Sequence, residues 1–317
     1  MSGLAVRDGP AQADARDWPV TNCYIDAWLP LLRSWQLEPL AALGVTVALD
    51  YEGDQFTFFK FAHDDLERFY GIVAGELSIW RPLEEQLVVQ MRLGRATLVE
   101  VDGFYLPDTR ATSYRIQHMK TTIAVEAIDP RRMYLRYYHN DGRYELEGAD
   151  YDGVFRHLPH QDSEDLLPPY VEFVKRCSAP LRGRARLDAA VESLRRRLGR
   201  RPEHNPIARY RRDFPDHMEW LTAHREKFHE YAFVIFRQLG PNFELLASHL
   251  DWLSAQGVSG LVDACESAAR ISATAKAMQF KVARIASRRR FDPCDAMFDQ
   301  LQRDYAMVME LLARAVV

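Results

Sequence analysis

Apolar residues recur at helical spacing between positions 22 and 35. Trp28, Leu31, Leu32 and Trp35 fall on one side, so the pattern predicts a helix there, with Pro30 as a potential kink. A shorter helix is expected over 39–43, stopped by Gly44. Residues 45–50 and 55–61 read as strands around the turn Tyr51-Glu52-Gly53-Asp54. Residues 63–70 then read as helix, 75–80 as extended chain, 82–93 as helix and 97–101 as strand. The densest β signal follows. Residues 115–128 are rich in β-branched side chains, Asp129-Pro130-Arg131-Arg132 supplies a turn, and 133–140 returns as a second strand. With Ile128 opposite Met133, His118 falls opposite roughly residue 143, near the Asn140-Asp141-Gly142 turn.

After a short helix over 150–155 the pattern changes. From Leu166 onward nearly every segment has helical period: 171–177, 187–198, 217–239, 243–255, 258–287 and 296–315. Breaks are expected at Pro180, 202–206, Gly240-Pro241, Gly257 and Asp292-Pro293. The fold class predicted is α+β, with an α+β domain over 1–178 followed by an all-α domain over 179–317; residues 1–20 read as a loose leader ending at Trp18-Pro19.

Composition narrows the function classes. With 317 residues, 47% hydrophobic and 27% charged, the chain can bury two cores and looks like an ordinary globular protein. The first seventeen residues lack an apolar signal-peptide core, and no apolar run approaches the roughly 20 residues of a membrane span. Cys23, Cys177, Cys265 and Cys294 are scattered, with no CxxC pair, which points away from a disulfide framework or structural zinc and toward a reducing cytoplasm. His217, His224 and His229 are not accompanied by carboxylates on the same predicted helix face, so no metal site is expected. The glycines sit singly: there is no GxGxxG, Walker loop, GxSxG or HExxH, and no RNA-binding motif. Charge is uneven. Residues 181–212 hold eleven arginines and three acids, while the rest of the chain carries 30 basic and 42 acidic side chains. Such a segment suits either an acidic partner or a solvated helix face with local ion pairs.

Cys23 is the leading chemical candidate. It opens the first predicted helix, where unpaired backbone N–H groups and the positive end of the helix dipole create the setting of nucleophilic cysteines. A cysteine nucleophile needs a base, and the base needs a third group to hold its ring. His118 and Asn140 supply these types in the order Cys, His, Asn, with Asp141 the alternative orienting group. A buried core cysteine, an ordinary strand histidine and a turn asparagine are the plainer readings of the same residues. An oxyanion hole would combine the Cys23 backbone N–H with a side-chain donor. Asp17 and Trp18 stand where papain-like enzymes carry a glutamine, leaving Asn22 and Gln55 as candidates. The loop with Asp108, Thr109, Tyr114 and Arg115 leads into the His118 segment and is a candidate substrate pocket, or a surface turn around Pro107.

The stretches 21–28 (TNCYIDAW), 50–61 (DYEGDQFTFFKF), 105–109 (YLPDT), 113–123 (SYRIQHMKTTI) and 138–146 (YHNDGRYEL) carry a resemblance. They are similar to an uncharacterised bacterial domain-of-unknown-function family, often encoded beside ligases that load amino acids onto carrier proteins. The order of Asn-Cys, Tyr-Leu-Pro, His and Asn-Asp-Gly also distantly resembles butirosin biosynthesis protein H, a papain-like acyltransferase type. The resemblance implies a papain-like N-terminal domain with Cys23 as nucleophile, His118 as base and Asn140 as orienting group. It implies transfer of an aminoacyl or acyl group from a carrier-protein phosphopantetheine thioester, through Cys23, to a small-molecule or peptide amine. No cofactor of its own is expected, since the phosphopantetheine belongs to the carrier; neither nucleic acid nor membrane is an expected partner. Arg195, Arg196 and Arg197 would suit docking of an acidic carrier. Two other classes stay open: a cysteine peptidase, amidase or thioesterase using the same residues, and a non-catalytic carrier-binding adaptor.

Overall fold

The computed structural model describes Trp18 and residues 21–140, 142–161 and 167–316. The predicted leader therefore lies outside the described residues, apart from Trp18, which is buried. The chain divides into two compact units. The first comprises Cys23–Leu37 and Leu66–Pro180; the second comprises Glu38–Asp65 and Leu181–Val317, with Trp18, Thr21 and Asn22. Residues 38–65 thus join the helical unit, whereas the hydrophobic pattern assigns them to the α+β half.

The first unit is built on a six-stranded sheet. Its strands are β1 (Ile72–Glu76), β2 (Ala96–Asp102), β3 (Lys120–Asp129), β4 (Tyr134–His139), β5 (Gly142–Glu147) and β6 (Val171–Arg176). Their order is β1-β6-β2-β3-β4-β5 and every pairing is antiparallel. Side chains alternate between faces. One face carries Val99, Val101, Ile123, Leu135, Tyr137 and Val171 into a core closed by Leu87 of α3 (Leu83–Arg92) and by Tyr151 and Val154 of α4 (Ala149–Val154). The other face is covered by α1 (Cys23–Ser34), which packs on β3 and β4. Tyr24, Ile25, Trp28, Leu29, Leu31 and Leu32 are buried; Trp28, Leu31 and Leu32 are on the side that the sequence pattern predicts, while Trp35 lies past the end of α1 and is half-buried. Each large side chain so buried contributes about 1.5–3 kcal/mol.

Two expectations in this unit need correction. Residues 171–177 were expected to be helical, yet Val171–Arg176 is a central strand between β1 and β2. With only Val171, Phe173 and Val174 apolar among six residues, the segment is too short and mixed for periodicity to separate strand from helix. The hairpin register also differs. Ile128 pairs with Leu135, and a bulge between Val125 and Ala127 shifts the pairing to Ala124↔Tyr138. β3 begins only at Lys120, so His118 lies before the strand.

The second unit contains α5 (Gly183–Leu198), α6 (Pro206–Ala223), α7 (Phe228–Val234), α8 (Phe236–Ala255), α9 (Val262–Arg288) and α10 (Asp295–Val316). The helix α2 (His63–Tyr70) spans the division between the units. Residues 45–50, expected as a strand, continue a 3-10 helix over Pro39–Ala48 that packs on α5 and α8. The second expected strand is reduced to an isolated bridge between Tyr51 and Phe56. Gly240-Pro241 does not end a helix, because α8 runs through it. The missing side chain of Gly240 has a reason: a Cβ there would lie 2.3 Å from the Trp18 ring. The same indole donates to Ser272 Oγ at 2.9 Å, so Trp18 is fastened into this unit. Among the described residues no helix is long and apolar enough to cross a membrane.

Candidate functional site

Cys23 is the first residue of α1 and is half-buried. Its Sγ lies 3.5 Å from Thr122 Oγ1 on β3. Thr122 pairs across the sheet with Glu100, and Lys120, two residues earlier, pairs with Asp102. The strand period puts Glu100, Asp102, Lys120 and Thr122 on the face that α1 covers. Cys23 and the β2–β3 row therefore share one side of the sheet.

His118 stands at the end of that row. Its Nδ1 lies 2.5 Å from Asp102 Oδ2. The other carboxylate oxygen accepts from the backbone N–H of Phe104 at 3.0 Å and of Met119 at 3.1 Å. Asp102 is thus fixed by two main-chain donors before it holds the imidazole, and the ring stacks on Phe104 with centroids 4.5 Å apart. With Nδ1–H donating to the carboxylate, Nε2 is left as the basic nitrogen, and it makes no hydrogen bond among the described residues. This is the connectivity of an oriented general base. The group that holds the ring is Asp102, which the sequence reading did not single out. The reason lies in topology: a β2–β3 pairing across a long loop cannot be read from local pattern.

Asn140, the expected third member, sits instead in the β4–β5 turn with φ of 46° and makes no side-chain hydrogen bond among the described residues. That left-handed conformation is one asparagine tolerates, so its local role is to turn the chain. Asp141 lies outside the described residues. The Cys23 thiol and the His118 imidazole are not hydrogen-bonded to one another; the thiol is bonded to Thr122.

The remaining predicted residues separate into groups. Asn22 is buried, its amide donating to Phe59 O at 3.0 Å and facing Gln238 Oε1 at 3.5 Å, so it serves the second unit's interior. Gln55 is exposed in the turn before Phe56. Thr109 is buried, its hydroxyl directed at the Gly103 and Leu106 carbonyls. Tyr114 donates to Asp150 at 3.1 Å, and the Arg115 guanidinium pairs with the same carboxylate while lying over the rings of Phe104, Tyr105 and Tyr114. This cage is next to the Phe104 platform on which His118 rests.

Asp108 belongs to a buried relay. Its Oδ2 accepts from His139 Nδ1 at 2.6 Å, Oδ1 accepts from Tyr137 OH at 2.6 Å, and His139 Nε2 lies 2.7 Å from Thr121 Oγ1. His139, Thr121 and Tyr137 project to the face opposite Cys23. The relay therefore ties the Asp108 loop to β4 without reaching the thiol.

Arg195, Arg196 and Arg197 are engaged inside the protein. Arg196 bonds Asp64 and Asp65 at 2.8 Å, Arg197 bonds the same two acids at 2.6 and 3.0 Å, and Arg195 donates to the Val316 carbonyl. Elsewhere in 181–212, Arg209 pairs with Asp50, and Arg211 with Asp295 and Asp299. Four arginines of the basic run, Arg196, Arg197, Arg209 and Arg211, are thus paired with acids from distant parts of the chain, while Arg182, Arg200 and Arg201 stay exposed.

A cleft of about 570 Å³ opens beside His118, lined by Glu100, Asp102, Tyr105, Lys120, Gly153 and Tyr170, among others. It lies where the β6–β2 register, Ala96 to Val99, ends, and Glu100 N–H there donates to the Tyr170 carbonyl at 2.9 Å. Cys23 is not among its lining residues. A buried carboxylate connects the two places: Glu172 accepts from Tyr24 OH at 2.8 Å and from Tyr170 OH at 2.6 Å. Burial, then the Glu172 charge, raises the Tyr24 phenol; burial, then its hydrogen bond to Glu172, raises Tyr170. Both therefore remain donors. Among the described residues no group of three His, Cys, Asp or Glu side chains is arranged to hold a metal.

A family model described as the DUF1839 N-terminal domain matches residues 7–176, and one described as the DUF1839 C-terminal domain matches residues 183–314. The chain belongs to the DUF1839 family. The gap between the two matches falls in the segment joining β6 to α5, so the family's N-terminal domain contains Cys23, Asp102 and His118 and its C-terminal domain contains α5 to α10. No match was found among curated proteins.

Proposed function

We propose that this chain is a cysteine-dependent acyltransferase with a papain-like arrangement of nucleophile and base. It would take an aminoacyl or acyl group from a carrier-protein phosphopantetheine thioester and pass it through Cys23 to an amine. The observation that supports the reading is the combination of Cys23 at the start of α1 with His118, held by Asp102, on the same sheet side. The roles follow from the bonds made and broken. Cys23 sulfur attacks the thioester carbonyl, and the carrier's thiol leaves with a proton. The amine then attacks acyl-Cys23, gives its proton to His118 Nε2, and the proton passes to the departing Cys23 sulfur. Asp102 takes the orienting role that the resemblance gives to Asn140 and steadies the imidazolium while it lasts. Thioester exchange onto Cys23 exchanges like bonds, which suits a relay.

The test is single-turnover transfer from a loaded carrier protein to an amine. Cys23→Ala abolishes transfer, and Asp102→Asn lowers it by about 10²–10⁴-fold with the fold intact. Full activity in Cys23→Ala overturns the covalent route; full activity in Asp102→Asn overturns the dyad. A second reading, hydrolysis through the same residues, is favoured by one observation: the His118 side chain is 67% exposed, so water can reach it. Product analysis with and without amine separates the two.

A further inference from the structure

The end of α9 carries a second concentration of positive charge, here beside exposed phenylalanines. Residues 276–295 contain six of the 41 basic side chains and two of the 45 acidic ones, leaving 35 and 43 on the rest of the chain. Both acids are occupied: Asp292 pairs with Lys281 at 2.7 Å and Asp295 with Arg211 at 2.6 Å. Arg284, Arg288, Arg289 and Arg290 are all exposed and have no carboxylate partner among the described residues. The α-helical period places Phe280, Arg284 and Arg288 in one stripe at i, i+4 and i+8. Phe280 is 59% exposed and Phe291, just beyond the arginines, is 53% exposed. Arg289 turns the chain out of α9 with φ of 54°, so the cluster ends a 27-residue helix and wraps its tip.

Arginines at a helix C-terminus complement its dipole, but one or two suffice for that. Four unpaired guanidiniums flanked by two exposed phenylalanines form a surface that is both cationic and apolar, a pairing favoured at protein interfaces. We propose that this tip of α9 is the docking surface for a small acidic protein whose own contact face mixes carboxylates with an apolar side chain. On the proposed function, on which this inference rests, that protein is the acyl-loaded carrier. Charge complementarity favours a compact protein over nucleic acid. The remaining chain has an excess of eight acidic residues, which repels a long polyanion but is screened from a partner seated on the tip alone.

The experiment is titration of wild type and Arg284→Glu/Arg288→Glu/Arg290→Glu with a phosphopantetheinylated carrier protein at low and high salt. Phe280→Ser and Arg184→Ala serve as second and control variants, since Arg184 is paired with Asp188. Circular dichroism and melting establish that each variant is folded. Binding that weakens roughly tenfold or more in the reversal variant, falls with salt and is untouched in Arg184→Ala supports the surface. Equal carrier binding by wild type and reversal variant overturns the surface while leaving the proposed function standing. Absence of carrier binding overturns it too. So does a wild-type preference for a short DNA duplex or anionic vesicles, which assigns the arginines to a polyanion.

Discussion

His249 provides a stability test that needs no knowledge of substrate. It is fully buried on α8, its Nδ1–H donates to the Leu40 carbonyl at 2.7 Å, and Nε2 has no partner among the described residues. Burial lowers its pKa from 6.5 to about 4, offset only in part by the Leu40 bond. Above pH 6.5 the imidazole is neutral whether folded or unfolded, and it contributes no pH dependence. Below 6.5 the unfolded chain takes up a proton that the folded protein refuses until about pH 4, so stability falls as pH falls across that window. At 1.36 kcal/mol per pH unit the full loss is about 3 kcal/mol, and about 2 kcal/mol of it has appeared by pH 5. His249→Asn keeps a donor near the Nδ1 position and removes the titration. Urea unfolding of both proteins across this range isolates the histidine, because the carboxylates common to both cancel. Wild type loses about 3 kcal/mol more than the variant between about pH 7 and pH 4. Parallel curves refute the assignment of a neutral buried imidazole.

Other expectations are simpler to check. Asp65 is fully buried and receives Arg196, Arg197 and Ser193, so Asp65→Ala strands buried guanidinium and costs about 3–5 kcal/mol in chemical denaturation. An unchanged midpoint contradicts that network. Gly71 has φ of 63° and an added Cβ would meet the Ser178 carbonyl oxygen at 2.4 Å. Gly71→Ala therefore costs about 1–2 kcal/mol from the left-handed backbone alone, with the overlap adding to it, and lowers the melting temperature. The Cys294 thiol is buried, and burial first of all pushes it up to about 11. It should resist iodoacetamide in the native protein while exposed Cys177 reacts, and both should label after unfolding. Native labelling of Cys294 at the rate of Cys177 contradicts its placement.

What could be read from sequence depended on whether the information was local. The helix opened by Cys23, the turn at Asp129-Pro130 and α3 are written in short-range periodicity and turn chemistry, and their boundaries differ little from expectation. Val171–Arg176 is too short and too mixed in polarity for periodicity to separate strand from helix, and the β-branched run at 45–47 reads as strand although it forms a 3-10 helix packed on α5 and α8. The nucleophile candidate was visible because it depends on a helix start. Its neighbours were not. Asp102 reaches His118 only through the β2–β3 pairing, and Arg196 and Arg197 meet Asp64 and Asp65 across more than a hundred residues of chain.

The most direct test of the central claim is the intact mass of the protein after mixing with an aminoacyl-loaded carrier protein, beside Cys23→Ser. An added aminoacyl mass on the wild type, mapped to Cys23 and released by an amine, is the predicted result. A wild type that stays unmodified with a range of loaded amino and acyl groups, while still binding the carrier, contradicts a covalent role for Cys23.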